Sequence, residues 1–340
     1  MKIFIDNLLL VDKGGIYIYF EELFKFLNKQ NCSYHVDFFD IPTKPIYPKN
    51  YSIKKKKYFE RIRKSNVSGN FDIFHSSYYR IPRKKNIKVV TTVHDFTHQK
   101  YVKGLKSYLN MLIKMRAIRR SDAIICISEN TKNDLLSFYK LKTNQEIFVI
   151  YNGISNDYKK LYLDDFSYEK YFLYIGHRTN YKNWYLALDL LEAQKDFNLI
   201  VVGGDTDEVN FYKNIKPSLR ERVIFKGFIT NTELNFLYNK AFCLFYPSSY
   251  EGFGIPVIEA MASGCPVIAN NECKAVKEIA NDIPLYFNKG NKNYNDVFNI
   301  LKKINREKKI NQGLELAKNF SWDKNFSELY KIYKSLMYNA

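Results

Sequence analysis

Ala241-Phe-Cys-Leu-Phe-Tyr-Pro247-Ser-Ser-Tyr-Glu251-Gly-Phe-Gly-Ile-Pro-Val-Ile-Glu259-Ala-Met-Ala-Ser-Gly264-Cys-Pro266 is the stretch that decides the reading of this chain. Ala241 to Pro247 is apolar and aromatic, with the length and composition of a buried strand. Gly252 and Gly254 then permit a sharp turn that leaves backbone N–H groups open. Pro256 suits the first turn of a helix, which runs on to Ser263, ends at Gly264 and is kept from resuming by Pro266. A strand, a glycine turn and a helix start together favour phosphate, because open amides and the helix dipole both attract negative charge. Two carboxylates flank the turn. Glu251 stands at the strand exit, and Glu259 lies one helical turn in, where its two oxygens suit a vicinal diol such as ribose. The pattern predicts a nucleotide diphosphate site.

Outward from this segment the chain alternates. In the first half, strand patterns cover Lys2–Asn7, Tyr34–Phe39, Phe71–Ser76, Lys88–His94, Ala123–Ser128 and Ile147–Tyr151. Helical patterns cover Ile16–Asn28, Leu105–Arg120 and Asn130–Tyr139, the last capped by Ser128 or Asn130. The second half repeats the scheme. Its strands are Tyr171–Ile175, Phe197–Gly203, Val223–Gly227, Ala241–Pro247, Pro266–Asn270 and Pro284–Phe287. Helices over Asn183–Gln194, Asp207–Leu219, Thr232–Lys240, Pro256–Ser263, Lys274–Ala280, Tyr294–Arg306 and Lys308–Asn319 separate and follow them. Such alternation predicts two parallel sheets covered by helices, an α/β fold with ligands bound at the carboxyl ends of the strands. The joint is expected near residues 153–170, and Lys324–Leu336 is an amphipathic helix placed to pack back across it.

The bulk composition fits this layout. The 340 residues suit two domains, and 46% hydrophobic content supports globular cores. Five cysteines (Cys32, Cys126, Cys243, Cys265, Cys273) are odd in number and lack paired spacing, which fits free thiols in a reducing cytoplasm. No run approaches the ~18 apolar residues of a membrane span. The net charge of +18 is uneven: residues 1–150 hold 28 Lys and Arg against 13 Asp and Glu, the remainder 25 against 22. The densest basic segment, Lys54–Lys57 with Arg61, Arg63 and Lys64, points either to an anionic membrane surface or pyrophosphate-bearing acceptor, or to a solvated lysine-rich surface in a chain generally rich in Lys, Asn and Tyr. Nucleic acid is a third reading of that charge, but no RNA- or DNA-binding signature accompanies it.

Further chemistry gathers at predicted strand ends. Arg178 and Lys182 follow the strand Tyr171–Ile175, either as cations for a departing diphosphate or as ordinary surface residues. His94 ends the strand Lys88–His94 and faces either the ligand or a structural partner; His75 and His177 hold comparable positions. Gly14-Gly15 precedes the first helix, either as a second phosphate contact or as a simple turn. Asp205-Thr206-Asp207 has metal-chelating spacing, although helix capping explains it better. The sequence shows no zinc-type His and Cys cluster.

These residues resemble retaining glycosyltransferases of family 4 over most of the chain. Glu251-Gly-Phe-Gly-Ile-Pro-Val-Ile-Glu259 looks like that family's Glu-x7-Glu motif. Gly176-His-Arg178, Tyr181-Lys182-Asn183, Val93-His94-Asp95, Ser121-Asp-Ala-Ile-Ile-Cys-Ile-Ser128, Tyr151-Asn152-Gly153 and Phe245-Tyr-Pro247-Ser248 follow in the same order. The resemblance implies the GT-B architecture, two doubly wound Rossmann-like domains facing a central cleft. Residues 1–155 would form the acceptor domain and 156–322 the nucleotide-sugar domain, with the helix at 323–340 packing on the first. It implies a hexosyltransferase that moves a sugar from a GDP- or UDP-sugar to a glycan or lipid-linked acceptor with retention, without metal or other cofactor, in bacterial surface polysaccharide synthesis. Glu251 would contact the transferred sugar, Glu259 the ribose, and Gly252, Phe253, Gly254 and Ile255 the sugar and diphosphate. Arg178 and Lys182 would stabilise the leaving group, His94 would line the sugar pocket, and Gly15 would approach the phosphate. The enzyme is expected in the cytoplasm, peripheral on the inner membrane face. The chain departs from the family at Gly14-Gly15-Ile-Tyr, where Gly-x-Gly-Arg is usual, and at Lys277-Glu278, where Pro-Glu is frequent. A nucleotide-sugar epimerase or phosphorylase of the same shape is the competing enzymatic reading.

Overall fold

The computed structural model describes residues 1–8, 14–40, 48–142, 145–162, 169–204 and 212–338. Two compact units divide the chain: Met1–Gly153 with Trp322–Ala340, and Ile154–Ser321.

The first unit is built on seven parallel strands: β1 (Lys2–Asn7), β2 (Ser33–Phe39), β3 (Tyr51–Lys54), β4 (Ile73–Ser76), β5 (Lys88–Val93), β6 (Ala123–Cys126) and β7 (Glu146–Val149). Their order is β3-β2-β1-β4-β5-β6-β7, so the winding reverses between β1 and β4. Open α/β sheets bind ligands at the carboxyl edge beside such a reversal. Central strands such as β1 and β5 are buried on both faces, which is why they read as continuous apolar runs rather than as alternation. Helix Gly15–Lys29 turns Tyr19, Phe20, Leu23, Phe24 and Leu27 into the core. The last helix, Trp322–Tyr338, adds Trp322, Phe326, Leu329 and Tyr333 to the same cluster. Each large apolar side chain buried there contributes roughly 2 kcal/mol. His75 sits inside this packing, with Nδ1 2.6 Å from Tyr333 Oη and Nε2 2.9 Å from Thr92 Oγ1. Burial lowers its pKa to about 3, so His75 is a neutral structural residue.

The second unit carries six parallel strands: β8 (Tyr171–Ile175), β9 (Asn198–Val202), β10 (Val223–Gly227), β11 (Cys243–Tyr246), β12 (Val267–Asn270) and β13 (Leu285–Phe287). Their order, β10-β9-β8-β11-β12-β13, reverses between β8 and β11. Phe172, Phe197, Phe242, Phe245, Phe287 and Phe298 make a continuous aromatic cluster beneath the sheet.

Most predicted elements lie within two residues of the observed ones. β3 has no counterpart in the sequence reading, because a lysine-rich segment looks like loop. It is an edge strand, where charge is tolerated. The short helix Thr97–Tyr101 was also not expected. Of the two proposed caps, Ser128 is the one that accepts a bond from Thr131 N, at 3.0 Å. Asp205, Thr206 and Asp207 lie outside the described residues, as do residues 163–168 of the expected joint.

Candidate functional site

The helix Ile255–Ala262 begins at Gly254, whose φ of 110° lies in the left-handed region. A Cβ there would stand 3.0 Å from Val276 Cγ2, so both conformation and space call for glycine. Pro256 occupies the first turn, and the helix is buried from Val257 to Ala262. Its end closes as predicted from Gly264: Gly264 N bonds Met261 O at 3.0 Å and Cys265 N bonds Ala260 O at 2.8 Å. The glycine turn is thereby held between a buried strand and a buried helix.

Glu251 and Lys182 meet beside this turn. Lys182 Nζ donates to Glu251 Oε1 at 2.7 Å, with the two side chains 12% and 15% exposed. Burial is the largest single influence on Lys182 and pulls its pKa down, but the charge and hydrogen bond of Glu251, together with Tyr181 and Cys273, outweigh it and leave the ammonium above its ordinary value. Lys182 reaches this position because Gly176 lacks a side chain: a Cβ there would lie 3.3 Å from Lys182 Cδ and Nζ. Asn183, at φ 48°, ties the neighbouring loops together. Its Nδ2 donates to Pro247 O at 2.7 Å and to Ser249 Oγ at 2.8 Å. Asn270 Nδ2 also donates to Ser249 Oγ, which donates in turn to Glu272 Oε2 at 2.9 Å. The exits of β8, β11 and β12 are therefore cross-linked around the pair. None of Asn183, Ser249 or Asn270 was named as a site residue from sequence.

Arg178 is held at the end of β9. Its Nη1 donates to Gly203 O at 3.2 Å, and its guanidinium stacks on Phe225 at 5.2 Å. Gly204 leaves room for it, since a Cβ there would fall 2.6 Å from Nη1. Glu259 is buried, at 7% exposure. Tyr238 Oη lies 3.2 Å from Glu259 Oε2 and from the Pro256 carbonyl, and the Tyr158 hydroxyl, which donates to Asn231 Oδ1 at 3.2 Å, is a second phenol beside the carboxylate. Burial raises the Glu259 pKa to about 7, with the two tyrosines opposing the rise. The sequence reading placed this carboxylate one helical turn in, within reach of a vicinal diol; the tyrosines beside it carried no sequence signal.

In the first unit, His94 follows β5 and is buried. Its ring meets Tyr19 edge-on at 5.1 Å, and Nε2 has no hydrogen-bond partner among the described residues. Burial lowers its pKa to about 4; Asp95 opposes this and Lys114 adds to it. Lys114, itself buried, donates to Asp95 O at 2.6 Å and lies over the Phe96 ring at 4.3 Å. Gly15 opens its helix behind an extended Gly14 (φ −110°), with no side-chain cap. His177 is exposed. No group of three or more His, Cys, Asp or Glu is placed to hold a metal among the described residues.

Two parallel sheets, each reversing its winding, with a carboxylate–lysine pair at one reversal, define a doubly wound α/β class whose ligand sites lie at the carboxyl ends of the strands. The solved structures that share this fold include a sucrose-phosphate synthase from Thermosynechococcus elongatus (TM-score 0.78, 17% identity, 100% of both chains). A glycosyltransferase from Rickettsia africae also shares it (TM-score 0.74, 19% identity, 100% of this chain and 99% of that one). The fold is GT-B. A family model described as Glycosyltransferase Family 4 matches residues 14–158, and one described as Glycosyl transferases group 1 matches residues 163–291. Together they take in most of the chain, which belongs to the family 4 glycosyltransferases. An O-antigen chain mannosyltransferase from Salmonella typhimurium is 42% identical over 94 residues, 27% of this chain and 26% of that protein. O-antigen chain mannosyltransferase B from Escherichia coli is 32% identical over 157 residues, 43% of this chain and 39% of that protein. These alignments span well under half the length of either relative.

Proposed function

We propose that the chain is a retaining hexosyltransferase that moves a sugar from a GDP- or UDP-sugar to a glycan or lipid-linked acceptor in bacterial surface polysaccharide assembly. The observation that carries this is the Lys182–Glu251 pair beside the glycine turn and helix start of the second unit. Mannose is the sugar favoured by the names of the two O-antigen relatives. The donor diphosphate takes the amides of Gly252 to Ile255 and draws on the charge of Lys182 and Arg178. These cations do the work of a metal as negative charge builds on the leaving oxygen. The bond from the anomeric carbon to the diphosphate oxygen breaks, and an acceptor oxygen adds on the same face. The acceptor's proton passes to the departing phosphate. Glu251 holds the sugar, and Glu259, once ionised, takes the ribose hydroxyls. His94, neutral and with Nε2 available, offers a hydrogen bond to a sugar hydroxyl, and Gly15 offers an amide to phosphate.

The positive excess of residues 1–150 supports residence at an anionic membrane surface on the cytoplasmic side. No helix among the described residues is long and apolar enough to cross a membrane.

A panel of UDP-, GDP-, ADP- and CMP-sugars tests the function, scored by nucleotide release and thermal shift, with the product anomer read by NMR. Release of nucleotide from a GDP- or UDP-sugar with retained configuration supports the proposal. No turnover of any donor, or an inverted product, contradicts it.

A further inference from the structure

The carboxyl ends of β2 and β3 open into a cavity of about 500 Å³ lined by residues of the first unit. Phe39 and Lys54, the last residues of those strands, stand on its wall. Seven cationic side chains line it against one carboxylate, Glu60. Asp6 and Asp37 pair with Arg80 and Lys54, and crediting both still leaves an excess of four positive charges. Lys55, Lys57, Lys64 and Arg83 are exposed, and none of them forms an ion pair among the described residues.

The floor of this cavity is cross-linked by ion pairs and hydrogen bonds. Arg80 is 3% exposed and bridges Asp6 at 3.0 Å and Glu60 at 2.8 Å, so its charge is already matched and its role is scaffolding. Arg80 Nε also donates to Arg63 O at 3.2 Å. Ser65 N bonds Ile81 O at 2.8 Å and Arg83 N bonds Ser65 O at 2.9 Å, zipping the two basic loops together. The unpaired cations are thus presented from cross-linked backbone. Beside them Tyr58 and Phe59 are 88% and 72% exposed, an aromatic pair turned to solvent at the rim.

We infer that this basic pocket binds the diphosphate of a lipid-linked acceptor, with Lys55, Lys57, Lys64 and Arg83 around the phosphates and Tyr58 and Phe59 against the lipid. Concavity decides between ligands. A flat bilayer or a nucleic acid duplex meets charges spread over an open face, whereas a cavity gathers them around one compact polyanion. Exposed aromatics beside a phosphate pocket fit an amphiphile rather than a free sugar phosphate. The inference deepens the proposed transfer reaction by naming the chemical class of its acceptor, and in that respect rests on it.

The full-length chain is titrated calorimetrically with inorganic diphosphate in a Lys182→Ala background, which suppresses binding on the donor side. Lys64→Glu with Arg83→Glu is expected to weaken the affinity roughly tenfold or more. Lys64→Gln with Arg83→Gln, the milder pair, is expected to shift it in the same direction. Absence of diphosphate binding before these changes, or equal affinity after both, overturns the inference. Sedimentation with phosphatidylglycerol vesicles separates the sources: if the variants lose vesicles but keep diphosphate affinity, the cations serve the bilayer and the inference falls. Acceptor-free hydrolysis of the donor, measured with Lys182 intact, should not change in the pocket variants. Absence of that hydrolysis in the parent chain, with diphosphate still bound at the pocket, would count against the transfer reaction and leave the anion site standing.

Discussion

Lys182 Nζ lies 2.7 Å from Glu251 Oε1, although the two residues arrive from the ends of different strands, β8 and β11. Those strands are neighbours at the point where the second sheet reverses its winding, so the fold itself creates the meeting. The pair is mostly shielded from water, which strengthens each charge toward an incoming diphosphate or sugar.

Lys182→Ala and Glu251→Ala are each expected to lower kcat by about a hundredfold or more, the usual cost of removing a transition-state charge stabiliser. Circular dichroism should remain that of the parent. Activity within a few-fold of the parent for both would contradict the assignment.

Gly254→Ala should destabilise the second unit by roughly 1–3 kcal/mol, since the residue would be strained at φ 110° and its Cβ would press on Val276. Urea denaturation followed by fluorescence measures this. A shift smaller than a few tenths of a kcal/mol would mean that the turn relaxes freely.

Glu259 titrates near 7 in the folded chain, against an ordinary value of 4.5. Between those values the folded state keeps a proton that the unfolded state has released, so this group's contribution to stability falls as pH rises from about 4.5 to 7. Glu259→Gln removes that loss. Relative to the parent, the variant should gain stability across this window, by at most about 3 kcal/mol at pH 8. A difference that stays constant between pH 5 and 8 would show that the carboxylate ionises normally. Donor affinity of the parent should rise over the same interval if ribose needs the ionised form, and the variant should lack that rise.

Replacing Lys56, Lys103 and Lys106, exposed cations of the first unit that do not line the basic pocket, by Glu is expected to reduce sedimentation with anionic vesicles, and ~0.5 M salt should weaken parental binding in the same way. Unchanged sedimentation would remove the membrane-surface proposal.

Much of this architecture is legible in the sequence because it depends on local patterns. Tyr171–Ile175 and Val223–Gly227 are observed with the bounds their apolar runs predict. Pro256 and Gly264 mark the two ends of one helix. Lys182 and Glu251 could each be nominated from their strand ends, but their bond joins positions 69 apart and required the sheet order. The tyrosines on Glu259 were out of reach for a related reason. Tyr158 and Tyr238 sit in segments where a tyrosine reads as ordinary core, and only tertiary packing brings their hydroxyls beside a carboxylate. Gly176 and Gly204 read as turn residues, yet the space they leave for Lys182 and Arg178 appears only in three dimensions. β3 was hidden by the lysine run that begins at its last residue, Lys54.

The most direct test is a structure of the chain with its nucleotide-sugar donor bound. It should place the diphosphate within hydrogen-bonding distance of Lys182 Nζ and the amides of Gly252 to Ile255, with the sugar against Glu251. A diphosphate seated away from Lys182, with the Lys182–Glu251 bond undisturbed and facing no ligand, would contradict the account.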